Sequence, residues 1–279
     1  VIELPGNGGT AEPVIASAER LEAPEGCAAL RVHNADGTLD RFVYADTPEG
    51  TDAGGLSLDG SFGHIRTDAD QVTAAHVVGG SLSAPGFEMA LEHGSWTGEV
   101  VEVDYENNRV TVDAELPTDG RLRFQTIQFN NPRYSRNTAY TIYNVTRQDG
   151  RSVIDFGPQK IVLGEGTVHG DPAEGRIYSL TPHDYARGLT RKGVDFFDGK
   201  LLVSVDGDAQ THVKKATYDQ PFVVDVDSTE GFAEGDRFLY MDLQAGDEFT
   251  IPNWAALEIG ADGQLQVSAT DDVEITVAG

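Results

Sequence analysis

The 279-residue chain carries 46 acidic and 20 basic side chains, a formal charge of −26, which repels nucleic-acid phosphates and anionic membrane surfaces alike. A hydrophobic content of 39% suffices for a core, and 32 glycines suit a chain with many tight turns. Cys27 is the only cysteine, so no intrachain disulfide forms, and no apolar run approaches membrane-spanning length.

Residues 1–25, rich in Gly, Pro, Ala and Glu, read as a leading linker and a first strand. A chain that begins Val1-Ile2-Glu3-Leu4 is expected to be a mature or excised product. Strands over 28–32 and 40–44 flank Asp36-Gly37, a strong hairpin signal. Residues 47–55 read as a polar loop. A second hairpin joins 61–66 to 71–78 through Asp68-Ala69-Asp70, which sets His64 opposite His76; a short strand follows at 81–82. Residues 87–93 read as one helical turn.

From Gly98 to Phe156 the alternation of apolar and polar residues is strongest, the mark of half-buried antiparallel strands. Strands are expected at 99–105 and 109–114 around Glu106-Asn107-Asn108, then at 122–129, 138–145, 152–156 and 159–163. Thr181 and Pro182 look like the cap and first position of a short helix over 181–187. Further strands are expected at 200–205, 222–226, 237–242, 248–251, 255–259, 265–269 and 273–277. No repeat recurs at a fixed period, which argues against a propeller or solenoid. The fold expected is all-β, an antiparallel β-sandwich, with room for two stacked β domains. A first domain over 26–165 and a smaller β layer over 166–279 would meet at the Gly- and Glu-rich stretch 164–175.

The seven histidines lack the short spacing of a zinc site, and neither a G-x-S-x-G elbow nor a phosphate-binding glycine loop is present. Acidic turns at Asp206-Gly207-Asp208 and Asp225-Val226-Asp227 have the oxygen-ligand character of a structural Ca²⁺ site, without the closing Glu of a twelve-residue loop. The loop holding Asn131, Arg133, Tyr134, Arg136 and Asn137 stands out in so acidic a chain. Tyr can stack on a sugar ring, Asn can bond hydroxyls, and Arg can pair with a uronate or sulfate, so these five are the candidate polysaccharide contacts. Trp96 and Trp254 could serve as sugar platforms, but each is expected to pack in the core or at its rim.

The strings L-D-G-S-F-G-H-I-R-T-D at Leu58 to Asp68, V-V-G-G-S-L at Val77 to Leu82, G-E-V-V-E-V-D-Y at Gly98 to Tyr105 and N-P-R-Y-S-R-N-T-A-Y at Asn131 to Tyr140 resemble the C-terminal β-sandwich region of heparinase II/III-like polysaccharide lyases. The resemblance covers about half the chain. It implies a helical toroid upstream that carries the catalytic Tyr, and a His-x-His strand in the sandwich; this chain shows neither, so no catalytic residue carries over. The function expected is an accessory, carbohydrate-associated β-sandwich part of a secreted or cell-surface polysaccharide-degrading protein, binding an acidic or sulfated polysaccharide beside an additional domain or chain. The alternatives are an active lyase, in which Tyr or His removes a proton beside a uronate carboxyl that Arg neutralises, and an adhesive surface module stabilised by Ca²⁺.

Overall fold

The computed structural model describes residues 14–47, 50–179, 195–205, 207–217, 222–260 and 262–277. Among them there is no helix; the fold is all-β, and its strands pair antiparallel. The chain divides into two units, 1–95 with 252–279, and 96–251. The first is discontinuous in sequence, and the stretch 164–175 lies inside the second.

In the first unit a seven-stranded sheet runs in the order Ile15–Leu21, Cys27–Asn34, Leu39–Ala45, Phe62–Asp68, Gln71–Val78, Trp254–Ile259, Leu265–Ala269. A five-stranded sheet runs Val273–Val277, Phe87–Leu91, Ser81–Ala84, Leu56–Asp59, Thr51–Ala53. Val43, Ile65 and Val77 of the first sheet share one core with Leu58, Leu82 and Met89 of the second, which makes this unit a sandwich. Gly63 lets the layers close: a Cβ there would lie 2.6 Å from Leu82 Cδ1.

In the second unit a seven-stranded sheet runs Thr138–Thr141, Thr126–Asn130, Glu248–Pro252, Ser95–Asp104, Arg109–Val112, Arg151–Asp155, Asn144–Gln148. Tyr140 and Val145, on its opposite edge strands, meet in one core, so the sheet curls around its own interior. A six-stranded sheet runs Val162–Thr167, Arg237–Met241, Leu201–Ser204, Gln210–Ala216, Phe222–Val226, Arg176–Ser179. A bridge between Val168 and Ser179 joins its two ends around a third core that includes Phe197, Phe238 and Tyr240.

Turn chemistry set the expected hairpins correctly. Gly37, Asn108 and the pairs Ala69-Asp70 and Asp149-Gly150 all take the left-handed conformation their turns need. Other expectations are corrected. Phe87–Leu91 is a strand, with Phe87, Met89 and Leu91 buried at every second place. Thr51–Ala53 is a strand within the expected loop. The run 122–129 keeps only Thr126–Asn130 as strand, because Phe124 at φ 68 turns the backbone. The run 138–145 is two strands on opposite edges of their sheet, and the strand expected at 159–163 lies at Val162–Thr167. Gln210–Ala216 and Arg176–Ser179 were not expected. The expected helix over 181–187 lies outside the described residues.

A methyl group added at Gly63 has no room between the layers. Gly63→Ala is expected to lower stability by about 1–3 kcal/mol, read as a lower denaturant midpoint with an unchanged slope.

Candidate functional site

The outward face of the first unit's seven-stranded sheet carries an aromatic ladder. Leu39–Ala45 points Val43 to the core, which turns Asp40, Phe42 and Tyr44 outward. Register then fixes the neighbours. His64 sits opposite Phe42 on one side and His76 on the other. Phe62 sits opposite Tyr44 and Val78, and Val78 opposite Trp254. Directly opposed residues of an antiparallel pair share a face, so these rings come to one surface.

The contacts are continuous. Trp254 and His76 lie 5.8 Å apart edge-on, His76 and Phe62 5.7 Å, Phe62 and Phe42 6.4 Å, and Phe42 stacks on His64 at 4.6 Å. Tyr44 is 49% exposed beside them. Leu30, Phe42, Tyr44 and Phe62 line an open apolar depression of about 320 Å³, with Arg20 on its wall. Three strand spacings, roughly 14 Å, separate Tyr44 from Trp254.

A polar group borders the rings. Arg66 donates from Nε to Asp40 Oδ1 (2.8 Å) and from Nη2 to Oδ2 (2.9 Å); Asn34 donates to Oδ2 (2.7 Å), and His64 Nε2 lies 2.8 Å from Oδ1. Burial alone would raise the Asp40 carboxyl, but its bonds to Arg66, Asn34 and His64 outweigh that and hold it well below the usual carboxylate range. Burial, helped by the neighbouring His64, lowers the pKa of His76. The face thus offers apolar ring surface with fixed hydrogen-bonding groups at its border, the combination that seats a sugar ring.

The structure separates the five loop residues expected to bind sugar. Arg133, Arg136 and Asn137 are exposed, and Arg133 Nη1 pairs with Asp227 at 3.4 Å. Asn131 and Tyr134 face inward instead. Tyr134 donates its hydroxyl to Asp247, 2.9 Å from Oδ1 and 2.8 Å from Oδ2; Asn131 donates to Oδ1 (2.7 Å), and the Gln244 N–H to Oδ2 (3.0 Å). Lys200 Nζ covers the Tyr134 ring at 3.6 Å from its centroid and pairs with Asp242 Oδ1 at 2.6 Å. That ammonium donates to the Asp242 main-chain carbonyl (3.1 Å), and Asp242 Oδ2 accepts from Tyr140 (2.6 Å) and Thr138 (2.8 Å). Burial first, then the charge of Asp247, drives the Tyr134 phenol far upward; burial raises the Asp247 carboxyl too. Tyr134 therefore presents no free face to a sugar and no basic oxygen to a substrate proton.

Among the described residues, the expected calcium ligands Asp208, Asp225 and Asp227 form no cluster of metal-ligating side chains. Asp206 lies outside the described residues. Asp208 is exposed. Asp225 binds Arg176 Nε at 2.7 Å, and Asp227 pairs with Arg133 and with Lys214 at 3.6 Å. Cations already occupy the places where Ca²⁺ would bring its charge. Among the described residues, three metal-ligating side chains converge elsewhere, at Glu92, His93 and Asp271, with ligand atoms within 4.8 Å of one another. His64 and His76 do pair across their hairpin, as their spacing implied. Trp254 holds an end of the ring ladder, half-buried and edge-on to His76, rather than lying in the core.

No family model, curated protein or solved structure matches this chain.

Two outcomes follow from these charges. Lys200 is 1% exposed, so Lys200→Ala leaves the buried Asp242 carboxylate without its cation and is expected to cost about 3–5 kcal/mol. Lys200→Met keeps the volume but not the charge, and with Asp242→Asn it is expected to recover most of that loss in chemical unfolding. His76 has a folded pKa below its unfolded value, so the unfolded chain takes up the proton first. Stability is therefore expected to fall as pH drops below about 6.5, and His76→Phe should flatten that part of a melting-temperature-against-pH profile.

Proposed function

We propose that the protein binds polysaccharide through the aromatic face of its first unit, as an accessory β-sandwich part of a secreted or cell-surface polysaccharide-degrading system. One observation carries the reading: Tyr44, Phe42, Phe62, His64, His76 and Trp254 form a continuous ring surface across four strands, facing away from the core. Aromatic side chains bury large apolar area at low entropic cost, and sugar rings present apolar C–H faces that match them. The length of the ladder suits a chain of sugars rather than one ring. Asp40, Arg66 and Asn34 stand beside it as directional partners for hydroxyls. The resemblance to the sandwich region of polysaccharide lyases points to the same ligand class.

The lyase reading receives less support, since Tyr134 is enclosed and bonded to Asp247. The calcium-stabilised adhesive reading receives less support, since two of its aspartates, Asp225 and Asp227, already pair with Arg176, Arg133 and Lys214.

Affinity electrophoresis against neutral and anionic polysaccharides tests the proposal. Retardation by at least one polymer is expected. Tyr44→Ala and Trp254→Ala are each expected to weaken binding by about 2 kcal/mol, roughly thirty-fold in Kd. Unretarded migration of the wild-type protein in every gel would refute it.

A further inference from the structure

The second unit carries a surface cluster outside the ring ladder. Phe124 takes φ 68, a left-handed conformation that bulky side chains avoid, and its side chain is 64% exposed. The loop gives it no freedom. The Arg123 N–H donates to Gly120 O (3.0 Å), the Phe124 N–H to Ile142 O (2.7 Å), the Gln125 N–H to Leu122 O (3.1 Å), and the Ile142 N–H to Gln125 O (2.9 Å). Leu122 and Ile142, on either side, are sunk in the core. The fold therefore holds an aromatic ring out in water on a backbone that opposes it.

Two neighbours complete the cluster. Tyr143, 46% exposed, meets Phe124 edge-on at 6.3 Å. It lies against Gly157, where a Cβ would stand 3.0 Å from Tyr143 Cγ, so the glycine makes room for that ring. Arg123 places its guanidinium carbon 4.8 Å from the Phe124 centroid and 5.2 Å from that of Tyr143. Arg31, Arg66, Arg109, Arg133, Arg147 and Arg176 each pair with a carboxylate. Arg123, like Arg20, Arg41, Arg136 and Arg151, pairs with none among the described residues; its guanidinium lies on two exposed rings. Asp155, whose main-chain carbonyl accepts from the Tyr143 N–H (2.8 Å), has its carboxylate taken by Arg109 at 2.9 Å and by the Gly157 N–H at 2.7 Å.

We propose that Arg123, Phe124 and Tyr143 form a binding site for an anionic sugar unit, a uronate or a sulfate ester, within a polysaccharide. This rests on the polysaccharide reading above and adds the charge of the ligand. A guanidinium braced on aromatic faces keeps its planar fork of donors for a bidentate oxyanion. The exposed ring surface of Phe124 and Tyr143 takes the C–H face of the sugar that bears the anion. In a chain of charge −26 a polyanion is repelled at long range, so it can be held only where a cation is unpaired with protein carboxylates and within contact distance.

Titration calorimetry with the full chain tests this, using oligogalacturonate, a sulfated galactan oligosaccharide and a neutral galactan oligosaccharide of equal length. At least one anionic ligand is expected to bind the wild-type protein more tightly than the neutral one, and which one identifies the oxyanion. Arg123→Gln is expected to weaken that ligand at least tenfold and leave the neutral one unchanged; Arg123→Lys, which keeps charge but not the fork, falls between. Phe124→Gly is expected to weaken anion binding at least fivefold with an equal or higher melting temperature, because glycine accepts φ 68 without strain. A purely structural Phe124 would give the opposite: a lower melting temperature with binding intact. Arg123→Gln binding within twofold of wild type overturns the proposal, as does a wild-type protein without preference for either anionic ligand. Binding of the neutral oligosaccharide that survives this result, and falls with Trp254→Ala, leaves the ring-ladder reading standing. Binding of none of the three overturns the anionic site, and the electrophoresis panel then decides the ring-ladder reading.

Discussion

The second unit is organised around a charge that water cannot reach. Lys200 Nζ sits in the interior with Asp242 at 2.6 Å and the Tyr134 ring at 3.6 Å. Taking an ammonium out of water costs several kcal/mol, and only close partners offset it. Those partners come from distant parts of the chain: Asn131, Tyr134, Thr138 and Tyr140 from the loop and strand of the curled sheet, and Asp242, Gln244 and Asp247 from the chain after Arg237–Met241. The bonds are directional, so the 131–140 segment has one way to lie on the six-stranded sheet. Gly199 makes that approach possible, since a Cβ there would stand 1.8 Å from Arg133 O. Apolar cores alone would leave this register loose; the buried ions select it.

How much of this was legible in the sequence depended on the range of the determining contact. Asp36-Gly37, Asn107-Asn108 and Asp149-Gly150 are local instructions, and the hairpins formed where they stood. The alternation of Phe87, Met89 and Leu91 was equally local, but a run of five residues fits a helical turn as easily until a partner strand is known. The same limit hid the site. Tyr134 in an acidic chain reads as a surface contact, because its spacing does not reveal that Asp247 and Lys200 enclose it. Trp254 reads as ordinary packing, because its neighbours His76 and Phe62 lie far back in the sequence, across the discontinuity of the first unit.

Charge is distributed with a consistent logic. The excess of carboxylates sits largely on the surface, and the arginines placed among them are mostly spent as ion pairs. Asp40 and Arg66 show the pattern at the edge of the ring face: a bidentate pair whose charges cancel beside the rings. Arg20, Arg41, Arg136 and Arg151 likewise show no carboxylate pair among the described residues, so the mark of Arg123 is its place against two exposed aromatic rings.

The Arg123 stack coincides with an exception in the backbone. At its turns the chain fills left-handed positions with glycine, asparagine and aspartate, or with the small Ala69, so local preference and tertiary fold agree. Phe124 breaks the agreement. A phenylalanine in this conformation costs of order 1–3 kcal/mol, and glycine at the same place would cost less. Nor does the side chain recover the cost by burial, since most of it faces solvent. Sequences depart from local consistency mainly where function compensates the loss. On the proposed reading, an exposed, strained aromatic ring against an arginine that pairs with no carboxylate would gain its compensation from outside the chain, and a ligand flat on one side and anionic at its edge would supply it in a single contact.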